Sequence, residues 1–418
     1  MRFDTLARLS LPVLAATLLL AAGAEAQRRQ GRKPVCPYCL NDPTIMRKAG
    51  IVNHGPFKFA QHPKHEEGKV LTTADIDKMI DFEQILWIET RHMKLGCCLR
   101  PYVVPQDEKL KIRAELKQLK ELGLRRINVR ARHLDPWLRL HLFALRAEKA
   151  YSDFKRTVRK TDTDFPRDPK DCYRGEGEER KHMGMGPYLG QPDKYELLIT
   201  GSEKAFVLFM ERYLGHRGVK PKRHNFTKRG ALFTGLGEYM RGHRRDTKLH
   251  NSMVFNISIN FLNGYRFYAY NLPVWLTEGM GHYFERANSP FYNSFDGNEG
   301  SVANARDTWK WRPMIRSRVA RGKNPPLAKV FRKRDFGALL FEDHLVIWSV
   351  VEFLATRHAE KFARFLDSLK GRITDKGVSG ISGLLKIQRK ALQQHFHWSP
   401  FELEDAWKKH VLKTYPVK

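Results

Sequence analysis

Trp275-Leu276-Thr277-Glu278-Gly279-Met280-Gly281-His282-Tyr283-Phe284-Glu285 is the stretch that decides the fold. Leu272-Pro273-Val274 leads into it, and the run reads as a helix with a carboxylate near its start. Gly279 and Gly281 remove two side chains and let that helix lie close against a neighbour. Glu278 and His282 are four residues apart and therefore share a face. Such a pair is either a hydrogen-bonded polar contact in a half-buried helix or part of a metal site.

A zinc hydrolase built on this helix needs an earlier one bearing His-Glu-x-x-His. Two imidazoles one turn apart then face one ion, and the Glu takes the proton of the zinc-bound water. The motif occurs nowhere in the chain. Where it would fall, Leu249 to Leu262, the best register sets Asn256 and Asn260 in the two His places and Ile257 in the place of the base. Asn260 then lies 18 positions before Glu278. An amide is a poor zinc ligand, and Ile257 cannot accept a proton. The segment has two periods. Phe255, Ile257, Ile259 and Phe261 alternate with Asn256, Ser258 and Asn260, which suits a strand, as do the β-branched Val254, Ile257 and Ile259. Leu249, Met253, Asn256 and Asn260 also fall on one helical stripe, so the residues alone leave both structures open.

Downstream, Phe341 to His358, Glu360 to Leu369 and Ser399 to Tyr415 are helical by pattern, the last opening with Ser399-Pro400. Upstream, Tyr195 to Ile199 and Gly230 to Gly237 read as short strands, and Ser202 can cap a helix over Glu203 to Leu214. Residues 161–190 are crowded with Asp, Pro, Gly, Arg and Glu and read as a linker. Before it, Asp107 starts a helix that Gly123 stops, and Asp135-Pro136 opens another whose broad apolar face runs to about Val158. Ala74 to Glu89 suits a helix, with Trp87 to Leu95 continuing as a strand. Arg2 and Arg8, the apolar run from Leu9 to Ala22 and Ala24-Glu25-Ala26 have the layout of a secretory signal peptide. The mature chain is expected to begin near Gln27 and to be exported, periplasmic or extracellular, with no later stretch long and apolar enough to span a membrane. The expected division is 1–26 signal peptide, 27–73 a basic cap with Cys and His, 74–160 a helical region, 161–190 the linker and 191–418 the main domain.

From about Lys194 to the C-terminus, the chain resembles the gluzincin-like, peptidase-MA domain of exported bacterial proteins of largely unknown function. The resemblance is carried by the strand and helix from Tyr195 to Gly215, by Trp275-Leu276-x-Glu278-Gly279 ending in Tyr283-Phe284-Glu285, and by Trp348 to Leu369 with Glu404-x-x-Trp407. It implies an α+β, mainly helical fold: a metallopeptidase-like domain with a small sheet, preceded by a helical and loop-rich region. It also implies a helix over 250–262 and gives Glu278 the third-ligand position. With Asn256, Ile257 and Asn260 where ligands and base belong, the zinc site is degenerate. The expected function is a non-catalytic scaffold that binds peptide or anionic envelope material.

Two other chemistries stay open. A non-standard metal site could join His250, or His243, to Glu278 and His282 and support a metal-dependent hydrolase. Cys36-Pro37-Tyr38-Cys39 matches the dithiol of glutaredoxins, although no thioredoxin-like βαβ pattern surrounds it. With Cys97 and Cys98 the pair could instead form disulfides or a four-thiolate knot, and His54, His62 and His65 lie near enough in sequence to share a metal with Cys36 and Cys39. No cofactor is expected, zinc being the one these residues would accept. The chain has no serine-hydrolase elbow, P-loop or dinucleotide fingerprint. The net charge of +30 favours acidic partners, but it is spread along the chain without a nucleic-acid motif.

Overall fold

The computed structural model describes residues 35–62, 70–176, 180–240, 242–270, 272–295, 302, 307–373 and 383–418. The expected signal peptide, the basic segment Arg28 to Lys33 and His65 lie outside them. The class is α+β, about half helical with a small mixed sheet. No helix among the described residues is long and apolar enough to cross a membrane.

The first elements are α1 (Pro43–Lys48), β1 (Ile51–Asn53), α2 (Thr73–Met79), β2 (Leu86–Thr90) and β3 (Met93–Cys97). The helix expected over Ala74 to Glu89 thus ends at Met79. A strand takes over because Leu86 and Ile88 enter the main core on one face while Trp87 enters a smaller core on the other. Next come α3 (Lys109–Glu121) and α4 (Pro136–Val158). Asp135 caps α4, accepting from the Leu138 N–H, with Pro136 in its first turn.

After residues 161–190 come β4 (Tyr195–Thr200), α5 (Glu203–Phe209), β5 (Lys222–Phe226), β6 (Ala231–Gly237), α6 (Asp246–Gly264) and α7 (Val274–Asn288). The chain closes with α8 (Trp311–Ala320), α9 (Phe341–Arg357), α10 (Ala359–Leu369), α11 (Leu384–Phe396) and α12 (Pro400–Thr414). The sheet order is β1-β2-β3-β4-β6-β5. β4 pairs parallel with β3, Leu95 opposite Leu197, and with β6, Gly235 opposite Leu198, whereas β5 runs antiparallel along the edge. Strands from both sides of 161–190 therefore lie in one sheet. Leu197 and Ile199 face the main core, and Leu198 joins Phe206, Phe209 and Phe233 in the smaller one.

Residues 246–264 form a helix, and their strand-like alternation has a physical cause. Every residue from Leu249 to Gly264 is buried, so α6 has no solvent face to impose a legible period. Its neighbours are β6, α4 and α7. α7 is held between α6 and α9 through its two glycines. A Cβ at Gly279 would stand 2.7 Å from Val351 Cγ2 and 2.9 Å from the Ile347 carbonyl oxygen, and one at Gly281 would stand 2.7 Å from Phe255 Cε2. In Gly279→Ala, the helix-propensity gain of about 1 kcal/mol opposes an overpacking cost of about 1–3 kcal/mol. Because a backbone carbonyl cannot swing aside, Gly279→Ala is expected to lower the urea midpoint. An unchanged or raised midpoint would show that α7 and α9 are not packed this closely.

Candidate functional site

Glu278 and His282, one turn apart on α7, meet His344 from the first turns of α9. His282 Nε2 is 2.9 Å from His344 Nδ1 and 3.8 Å from Glu278 Oε2. The ligand atoms of all three residues lie within 4.8 Å of one another. On its other side, His282 Nδ1 is 2.8 Å from Glu285 Oε1, and Glu285 also accepts the Ser294 backbone N–H. Phe255, Phe295 and Trp311 surround the imidazole, and the three side chains are 0% exposed.

Two imidazole lone pairs do not face each other at 2.9 Å with nothing between them. Either one nitrogen carries its hydrogen and donates it to the other in an N–H···N hydrogen bond, or both lone pairs face a metal ion. His₂Glu is a donor set that zinc accepts, and a carboxylate on the far ring nitrogen is the usual means of orienting such a ligand. Burial, reinforced by His344 and Arg286, holds the His282 pKa well below the imidazole range, while burial pushes Glu285 well above the carboxylate range. Catalysis would in addition need an open coordination position that water and substrate can reach. The side chains of the trio are fully buried and do not reach the surface.

The structure brings Glu278 and His282 together but places His250 elsewhere. His250 lies under α4, its Nδ1 3.8 Å from Glu115 Oε1. His243 Nδ1 donates to the Gly237 carbonyl. The amides of α6 engage the sheet: Arg223 Nη1 donates to Asn256 Oδ1 at 2.7 Å, and Asn260 Nδ2 donates to Phe233 O and Thr234 Oγ1, both at 2.8 Å. Ile257 packs in the main core.

None of the five cysteines is in a disulfide. Cys97 lies in the main core, where burial pushes its thiol up to about 12, while the adjacent Cys98 packs against the smaller core. They point to opposite sides of the sheet, so the four-thiolate knot is not assembled. Cys36 and Cys39 are 0% exposed, and their partners are imidazoles: Cys36 Sγ is 3.0 Å from His141 Nε2, and Cys39 Sγ is 3.1 Å from His54 Nε2. The hydrogen bond between the thiols raises Cys36 and lowers Cys39 to about 5.

No family model matches the chain, and no curated protein matches it.

His344 and His141 are not among the candidates raised by the sequence. His344 comes directly after Asp343 at the start of an apolar helix and carries no local signal. His141 does carry one: it stands between Leu140 and Leu142, a lone imidazole within an apolar helix face.

Burial, then Arg146, Lys111 and Lys149, hold the His250 pKa well below the imidazole range. The folded state therefore binds fewer protons than the unfolded state once pH falls below about 6.5. Stability should drop on acidification, His250 contributing at most about 1.4 kcal/mol per pH unit. Chemical denaturation from pH 7.5 to 5 should give a shallower loss for His250→Gln than for the parent. Parallel profiles would show that His250 is protonated in the fold.

Proposed function

We propose that the chain is an exported protein whose second half is a degenerate gluzincin-like domain, and that it binds extended acidic peptides without cleaving them. The order from β4 to α7, strand, helix, antiparallel edge hairpin, buried helix and glutamate-bearing helix, supports the gluzincin-like assignment. The observation that carries the function is the contact between Arg223 on edge strand β5 and Asn256 on α6. A hydrolase of this kind would present a metal ligand at the place of Asn256. Here that position holds an amide tied to a cation, and Ile257 replaces the general base.

β5 pairs with β6 on one side and forms the edge of the sheet on the other. Lys222 and Arg223 are half-buried along it, with exposed Lys220 and Lys228 at its two ends. An added strand would hydrogen-bond to the edge, and these cations would select carboxylates. In fluorescence anisotropy, a labelled Glu-rich peptide should bind in a salt-sensitive manner and its Gln counterpart weakly. The double variant Lys222→Glu and Lys228→Glu should lose about tenfold in affinity, or about 1.4 kcal/mol. Equal binding of both peptides, or no loss in the variant, would overturn the assignment of the edge.

The second reading is a metal-dependent hydrolase centred on Glu278, His282 and His344. One feature favours it, the orientation of His282 by Glu285. It requires peptide hydrolysis that stops on zinc removal and in Glu278→Ala.

A further inference from the structure

The cluster around Cys36 and Cys39 lies far from the α7 trio in sequence, and neither peptide binding nor hydrolysis uses it. Cys36, His54 and His141 bring their ligand atoms within 4.8 Å of one another, and Cys39 Sγ is 3.1 Å from His54 Nε2. Each sulfur faces an imidazole nitrogen. We propose that Cys36, Cys39, His54 and His141 form a structural Cys₂His₂ zinc site that fastens the N-terminal cap to helix α4.

The supporting contacts suit a metal. The Tyr38 and Cys39 backbone N–H groups both point at Cys36 Sγ at 3.4 Å, as donors that stabilise a thiolate. The turn is closed by the Leu40 N–H donating to the Cys36 carbonyl at 2.8 Å. His54 Nδ1 is 2.9 Å from the Trp87 carbonyl oxygen. A carbonyl only accepts, so Nδ1 carries the proton and Nε2 turns its lone pair toward the sulfurs. This is the outer hydrogen bond that fixes a ligating histidine. His141 is held by the second turn of α4, and the edges of Tyr38 and Trp137 form the aromatic wall.

Two sulfurs and two imidazoles suit tetrahedral zinc. Bond lengths of about 2.3 Å to sulfur and 2.0–2.1 Å to nitrogen require sulfur–nitrogen separations of roughly 3.5 Å, so the observed 3.0 and 3.1 Å need to open by about half an ångström. A dithiol oxidoreductase fits these residues less well. An attacking thiol must reach its substrate, whereas both sulfurs are enclosed.

The test is metal analysis of the full chain purified without chelators, beside Glu278→Ala, the double variant Cys36→Ser and Cys39→Ser, and His141→Gln. Zinc should be stoichiometric in the parent and in Glu278→Ala, and lost from the cysteine and His141 variants. Should those variants fail to fold, cobalt(II) exchanged into the parent decides. Thiolate-to-cobalt charge-transfer absorption with intense tetrahedral ligand-field bands is the expected spectrum. Zinc retained by the double cysteine variant, a cobalt spectrum without thiolate bands, or a metal-free parent with a Cys36–Cys39 disulfide would each overturn the site.

Discussion

The close approach of α7 to α6 and α9 is the constraint on which the rest of the C-terminal architecture depends. At Gly279 the neighbour is partly backbone, the Ile347 carbonyl, and at Gly281 it is the Phe255 ring. Backbone and ring at these distances leave no room for a side chain. The phase of α7 is set by that packing: with the two glycines turned to α9 and α6, Glu278 and His282 are carried to the junction where His344 enters. The polar trio is therefore a consequence of helix packing. Its aromatic surroundings have the same origin, because Trp311 and Phe295 fill the end of the same junction.

A second set of contacts joins α4 to its neighbours on either side of residues 161–190. Arg146 reaches Glu115 on α3 and Asp246 at the start of α6, both at 2.6 Å, and Arg139 pairs with Glu238 just after β6. These guanidiniums are almost entirely buried. Buried charges of this kind add little net stability compared with apolar residues of the same shape, but removing one partner leaves the other uncompensated at about 3–5 kcal/mol. Their structural effect is registration. They fix where α4 lies across β2, β3 and α6, and so where His141 stands relative to the cap.

Legibility in the sequence tracks solvent exposure. α4 and α12 are readable because each has an apolar and a polar side, with Asp135 and Ser399 marking their starts, whereas α9, buried almost all round, is readable from an apolar run too long for a strand. α6 is ambiguous because burial on every side erases the difference between periods of 2 and 3.6. β2 is obscured because both sheet faces are covered, so Leu86, Trp87 and Ile88 read as one apolar run. In the candidate site, Glu278 and His282 can be paired from spacing alone. Their partner cannot, since His344 lies 62 residues beyond His282 and is brought in only by the α7–α9 contact. His250 has the same kind of local context and is drawn instead to Glu115.

The two chemistries available to Cys36 and Cys39 differ in what they would do for the fold. A disulfide between them would close a loop with two intervening residues and restrain the unfolded chain by roughly 2 kcal/mol on the chain-entropy account. A metal shared with His141 would span 105 residues of sequence. A loop of that size corresponds to nearly 5 kcal/mol on the same account. The described cap contains one short helix and one short strand between Val35 and His62, and its own apolar contribution to the core is modest: Tyr38, Ile45 and Ile51 with the two cysteines on one side, Phe57 and Phe59 on the other. A segment so poor in regular structure gains most from a long-range cross-link. Each sulfur is turned toward an imidazole, one of them supplied by α4. This is the arrangement that lets the cap lean on the rigid helix instead of on itself.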